Sequence, residues 1–221
     1  TEGKADASAE EATAVGSGAK AGSGSVSLGF KADSTGQDAL ALGANAKATG
    51  SSTIAMGSSA QATGVNSLSL GTSSSALAKD ATTIGAYALA NQEGATSIGQ
   101  AAQATAIDAI AIGRGAKASG QNAIAVGKGT KAEYEDSIAI GSKAVVSKAG
   151  AIVIGTGTAE GVNSTVIGTG TASGADSTVI GGGTASGLEA QVFGGGTASG
   201  EKAKVFGGGI ASGLGAQVFG I

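Results

Sequence analysis

Cysteine, proline, histidine and tryptophan are all missing from the 221 residues, and aromatic residues make up only 3%. Without cysteine there is no disulfide framework and no thiolate metal site, and the redox compartment leaves no mark on the sequence. Without histidine there is no imidazole ligand and no His-based triad, which disfavours acid–base hydrolysis. Glycine is abundant, at 42 residues, but without proline and without a G-X-Y period it does not read as collagen. The single arginine, Arg114, and scattered lysines in a chain of net charge −3 give no basic stripe for nucleic acid and no polybasic membrane anchor. No apolar run approaches the ~18 residues needed to cross a bilayer as a helix. Thr1 is not a start methionine and no signal peptide follows it, so an excised or processed piece is expected.

What the chain has is a period. A glycine closes a short segment of large, small and large residues in LALG (40–43), IAMG (54–57), LSLG (68–71), IAIG (110–113) and IAVG (124–127). These anchors run from Gly16 and Gly29 to Gly220, 14 residues apart between Gly29 and Gly155 and 13 apart in the first interval and after Gly155. A fixed period of this length marks a stacked repeat array, and apolar residues in fixed columns argue against disorder. Numbering from each anchor, the residues at −3 and −1 are large aliphatics (Leu40 and Leu42, Ile54 and Met56), and the residue between them is small (Ala41, Ala55, Ser69). Such alternation reads as a strand. Alanines at +3 and +5, as in Ala46/Ala48 and Ala102/Ala104, mark a second short strand with polar residues between, and a glycine such as Gly50 or Gly64 often follows for a tight turn.

One repeat is therefore a flattened coil of two strands and two turns, its equivalents stacked at roughly 4.8 Å as parallel ladders. The pattern places the −3 and −1 aliphatics inside a thin core against the alanine pair, with +2 and +4 facing solvent. That core is meagre for the entropy of ordering each coil, so a second buried face is expected. The small residue at −2 would allow another chain to approach, and after Gly155 it becomes valine (Val166, Val179, Val192, Val205, Val218), which reads as self-association there. The column Phe193, Phe206 and Phe219 reads as core.

With these motifs in view, the chain resembles the YadA-like head of trimeric autotransporter adhesins. Those heads repeat a small-aliphatic-small-aliphatic-Gly segment followed by x-x-A-x-A-x-G, as in ALALGANAKATG (39–50), TIAMGSSAQATG (53–64) and AIAIGRGAKASG (109–120). The resemblance implies an all-β fold: a left-handed parallel β-roll, or β-solenoid, of 13–14-residue coils, assembled as a homotrimer. It implies a virulence-associated adhesin head on a Gram-negative outer membrane, exposed at the cell surface, whose partner is a host surface receptor or a matrix protein. Three regions are expected: a lead-in over 1–11, a head roll of 14-residue repeats over 12–155, and a continuation in 13-residue repeats over 156–221. The segment Gln217–Ile221 would leave an uncapped strand edge, so a neck or further coils are expected to follow.

No catalytic residue, cofactor or metal site is expected. Runs such as GTGTAEG (155–161) and GGGTASG (181–187) lack the P-loop lysine and recur as connectors. GGG followed by Thr-Ala-Ser lacks the nonapeptide calcium signature. Two other functions stay open: a structural spacer in a surface fibre, and an ice-binding solenoid, for which Thr156/Thr158 and Thr169/Thr171 supply two rungs before Gly182 and Gly195 interrupt the column. Candidate partner-binding residues are those that break a polar outward column. Tyr87 at +2 and Leu89 at +4 do so within one coil, Leu77 and Ile107 flank turns nearby, and Tyr134 stands in the acidic Glu133–Asp136 segment.

Overall fold

A computed structural model of the chain describes residues 3–220. Thr1, Glu2 and Ile221, at the ends of the expected lead-in and of the expected 13-residue region, lie outside the described residues. The chain divides into two compact units, Thr1–Gly115 and Ala116–Ile221.

The N-terminal unit is a parallel β-solenoid. The first strand of each coil (Thr13–Val15, Val26–Leu28, Leu40–Leu42 and onward to Ile110–Ile112) pairs only with its equivalents one coil away, forming a first sheet. The two-residue second strands (Lys20–Ala21, Asp33–Ser34, Lys47–Ala48 and onward to Gln103–Ala104) build the second sheet in the same way. The register is the repeat itself: Leu40 faces Ile54, Ala41 faces Ala55 and Leu42 faces Met56. The C-terminal unit repeats the arrangement from Lys117–Ala118 to Gln217–Phe219, all pairs parallel.

The face of the first strand is opposite to the expectation. The small residues at −2 are inside, with Ala41, Ala55 and Ala111 at 0% exposure, while Leu42, Met56 and Ile112 are each 37% exposed and Ile54 39%. The reason is size. Alanine side chains fill the gap between the sheets, from −4 (Ala39, Ala109), −2, +3 (Ala46, Ala102) and +5 (Ala48, Ala104). Leucine or isoleucine would not fit there, so alternation sends them out. The valine column after Gly155 is corrected likewise: Val166, Val179, Val192 and Val205 are fully buried in the chain's own core, so they are not the second face. The phenylalanine column is not core either, since Phe206 is partly exposed and Phe219 is 73% exposed.

The valines also account for the shorter period. In a 14-residue coil the first turn carries a left-handed residue at +2, such as Asn45 or Ser59, before the buried alanine at +3. In the 13-residue coils after Gly155 that residue is gone, and the buried slot is taken by Gly157, Gly170, Gly183 and Gly196. A Cβ on Gly170 would lie 2.5 Å from Val179 Cγ1, and one on Gly183 equally close to Val192 Cγ1. These coils after Gly155 have moved core volume across the gap, from an alanine methyl to a valine, whereas the 13-residue coil from Gly16 keeps a left-handed Gly18 at +2 and a buried Ala19 at +3.

The anchor glycines have one function throughout: Gly43 adopts φ 134°, and a Cβ there would stand 2.6 Å from the carbonyl oxygen of Gly57. Only glycine allows coils to stack that closely at the corner.

Candidate interaction surfaces

Because the aliphatic columns face outward, the first sheet of each unit presents an apolar stripe. In the N-terminal unit it contains Leu42, Ile54, Met56, Ile84 and Ile112, all exposed. In the C-terminal unit it contains Ile140, Ile154, Ile167, Ile180 and Phe206. At its end Phe193, Phe206 and Phe219 stack as a ladder, with ring centroids 5.2 and 5.1 Å apart and planes within 5°. Apolar area exposed repeatedly along a sheet is the kind of surface that interaction sites present.

Four of the five residues singled out in the sequence fall in the N-terminal unit and differ in setting. Tyr87 is 61% exposed on the first turn after Gly85, in the left-handed region at φ 60°, its N–H donating to Thr72 O at 2.9 Å. A bulky residue in that conformation is strained, and the equivalent positions hold Asn45, Ser59, Ser73 and Ala101. Leu89 is half-buried on its second strand, in register between Ser75 and Gln103. Leu77 is exposed just beyond the preceding second strand, its N–H donating to Ala90 O at 2.9 Å, which sets it beside the strand that carries Leu89. Ile107 is exposed on the second turn, ahead of Ile110–Ile112. Tyr134 belongs to the C-terminal unit; it is partly exposed, and its carbonyl accepts from Ser137 Oγ at 2.6 Å.

Charges gather on the second turns. Lys79 Nζ lies 2.9 Å from Glu93 Oε1 and 3.3 Å from Asp80, whose Oδ1 also accepts from Asn66 Nδ2 at 3.1 Å. The Asn66 hydrogen bond, then Lys79, holds the Asp80 carboxyl below its usual value, and Glu93, then Asp80, holds Lys79 above its own. In the C-terminal unit Asn122 and Asn163 bridge to Asp136 and Asp176 at 3.0 and 3.2 Å. All these groups are exposed, so they trim the turns and are not poised for proton transfer.

Among the described residues no group of His, Cys, Asp or Glu is placed to hold a metal, and no helix is long and apolar enough to cross a membrane. The glycine-rich runs form coil corners, with Thr169 N and Gly170 N both donating to Gly181 O at 3.0 Å, so their N–H groups are spent on the next coil. Thr158, Thr171, Thr184 and Thr197 stack in register, but Thr156 and Thr169 lie on bends, and no flat two-column threonine rung forms.

The aliphatic stripe was the feature that sequence reasoning missed, and its signal was present. The small residue of each strand marks the side where two sheets must meet, so the large ones are left for another surface.

Comparison with known proteins gives one family. The family model described as YadA head domain repeat (2 copies) matches residues 34–60, 62–88, 90–116, 104–130 and 135–158, together more than half of the chain. A comparison with curated proteins finds no match.

Proposed function

The chain belongs to the YadA head family, and from that premise we propose that it is the adhesive head of a trimeric surface fibre on a Gram-negative cell. It has no catalytic role, and binds a host receptor or matrix protein. Three copies pack their first sheets together, in left-handed coils as the family resemblance implies, and bury the aliphatic stripes. The observation that carries this reading is the exposure of Leu42, Met56, Ile112 and Ile140 in the −1 column, which is apolar in every coil, with Ile54 exposed beside it at −3. Each unit has a core made largely of alanine, and burial of the large aliphatics between chains supplies the apolar area that the single chain lacks. Partner binding uses the outward face around Leu77, Tyr87, Leu89 and Ile107, where an aromatic and aliphatic residues stand in columns that are mostly polar; Tyr134 offers a separate contact.

Light scattering at micromolar concentration tests the assembly, the expected mass being about three times that of the chain. Ile112→Asp with Ile167→Asp is expected to lower that mass, because it places carboxylates in an apolar seam. A wild-type chain that stays a folded monomer overturns the reading. For partner binding, a matrix-protein array is probed with wild type and with Tyr87→Ala/Leu89→Ser. Loss of binding at unchanged melting temperature is expected, and binding that persists removes this face from the proposal.

A further inference from the structure

We propose that the N-terminal unit carries a cleft for an acidic sugar, built from Lys20, Lys31, Lys47 and Phe30. It adds a ligand to the adhesive function and rests on that reading for its biological use alone. A cavity of about 610 Å³ opens on the second sheet and the adjoining first turn, lined by these four residues with Ser17, Asp33 and two glycines. The repeat assembles it. Lys20, Asp33 and Lys47 are register partners on successive second strands, so the two lysines flank Asp33 one strand spacing to either side. Lys31 enters from the first turn in the left-handed region, and its Nζ lies 5.2 Å from the centroid of the Phe30 ring.

The charge is unbalanced. Asp33 Oδ1 accepts from Thr35 N at 3.2 Å, and Asp6, beside Lys20 in the same column, accepts from Ser8 N at 3.2 Å, so both carboxylates are engaged by their own backbone. Among the described residues no salt bridge involves Lys20, Lys31 or Lys47. Three lysines therefore line the cavity against Asp33 in the lining and Asp6 next in the column, which leaves one positive charge in excess, and compact ammoniums attract carboxylate or sulfate oxygens as point charges. Phe30 is the second requirement. It is 52% exposed, at a position where later coils carry Ala44, Ser58, Thr72 and Ala86. A solitary exposed ring inside a cationic cleft suits a ligand with both an apolar face and an anionic group. A uronate, sialyl or sulfated sugar has this pairing: its C–H face covers the ring while its acid group meets the lysines. The cavity has room for one or two sugar rings. None of its lining residues belongs to the aliphatic columns of the first sheet.

The test is titration of the whole chain with sialyllactose, a chondroitin sulfate tetrasaccharide, neutral lactose and an oligoglutamate peptide. Binding of at least one acidic sugar is expected, with lactose inert. Phe30→Ala and Lys31→Gln are each expected to weaken it about tenfold at unchanged melting temperature, as exposed substitutions allow. Raising salt from about 0.05 to 0.3 M is expected to weaken it further. The sialyl and sulfated arms identify the source of the acid group. Failure of both acidic sugars at millimolar concentration overturns the proposal, as does oligoglutamate binding equally well and indifferently to Phe30→Ala. Matrix-protein binding measured on the same variants separates the two readings: loss of sugar binding alone leaves the protein-adhesion proposal standing, and the reverse leaves the cleft standing.

Discussion

At the scale of single residues, the core is governed by how it treats hydroxyl groups. Where serine or threonine replaces alanine at −4, its oxygen usually bonds the carbonyl of its own turn: Thr53 to Gly50 at 2.7 Å, Ser164 to Gly161 at 2.7 Å and Ser177 to Gly174 at 2.6 Å. At −2, Ser69 bonds Ser74 Oγ at 2.7 Å and Thr83 Oγ1 at 3.1 Å, a small network spread over two coils. Ser27 and Ser97 occupy the same column, fully buried, and their Oγ atoms have no partner. An unpaired buried hydroxyl costs about 1–3 kcal/mol, and alanine already fills this position in other coils. Ser97→Ala is therefore expected to raise the melting temperature, read by calorimetry. Ser69→Ala, which removes the bonds to Ser74 and Thr83 and leaves them only Gly71 O and Leu68 O as acceptors, is expected to lower it slightly. A Ser97→Ala variant that melts earlier than wild type would show that the hydroxyl has a partner.

At the scale of the coil, length and core volume are linked. A 14-residue coil mostly places a small residue (Ala, Ser or Thr) at both −2 and +3, whereas the 13-residue coils after Gly155 place valine and glycine. Val179→Ala removes the larger partner and is expected to cost about 2 kcal/mol, by lost transfer energy and a residual cavity. In the N-terminal unit Ala111→Val overfills a slot opposite Ala102 in the same coil, and overpacking of this kind costs about 1–3 kcal/mol. Adding Ala102→Gly is expected to recover part of that loss in a double-mutant cycle; additive penalties would sink the exchange. Strands, turns and register were legible in the sequence, because the period fixes which residues stack; the second glycines such as Gly50 and Gly64 mark close approach to the next coil, while the left-handed positions fall on residues such as Asp38, Asn45 and Asp80. The side of the first strand that faces inward was misread: hydrophobicity alone sends the large aliphatics inside, whereas the small residue at −2 marked the inner side. The lysine cleft was not legible: Lys20, Phe30, Lys31 and Lys47 look dispersed along the chain and converge only when coils stack.

At the scale of the whole molecule, composition governs the response to pH. Histidine and cysteine, the side chains whose ordinary pKa values lie between about 5 and 9, are absent. The groups shifted by their surroundings titrate outside that window. Asp80 is held below its ordinary 3.8 by the Asn66 hydrogen bond and then by Lys79, and Asp6 is lowered by its hydrogen bonds to Ser8. A carboxyl lowered in the folded state stabilises the fold above its unfolded pKa, and that contribution is lost as pH falls through the folded value. Lys79 is raised above 10.5 by Glu93 and then by Asp80, so its contribution is present below the unfolded value and is lost as pH climbs through the folded one. All three are exposed, so these terms are small and screened by salt. The melting temperature is therefore expected to stay level between about pH 5 and 9 and to fall off only beyond those limits. A slope near neutrality, measured by thermal unfolding in matched ionic strength, would mean that assembly or folding takes up protons at a group the described structure leaves in water.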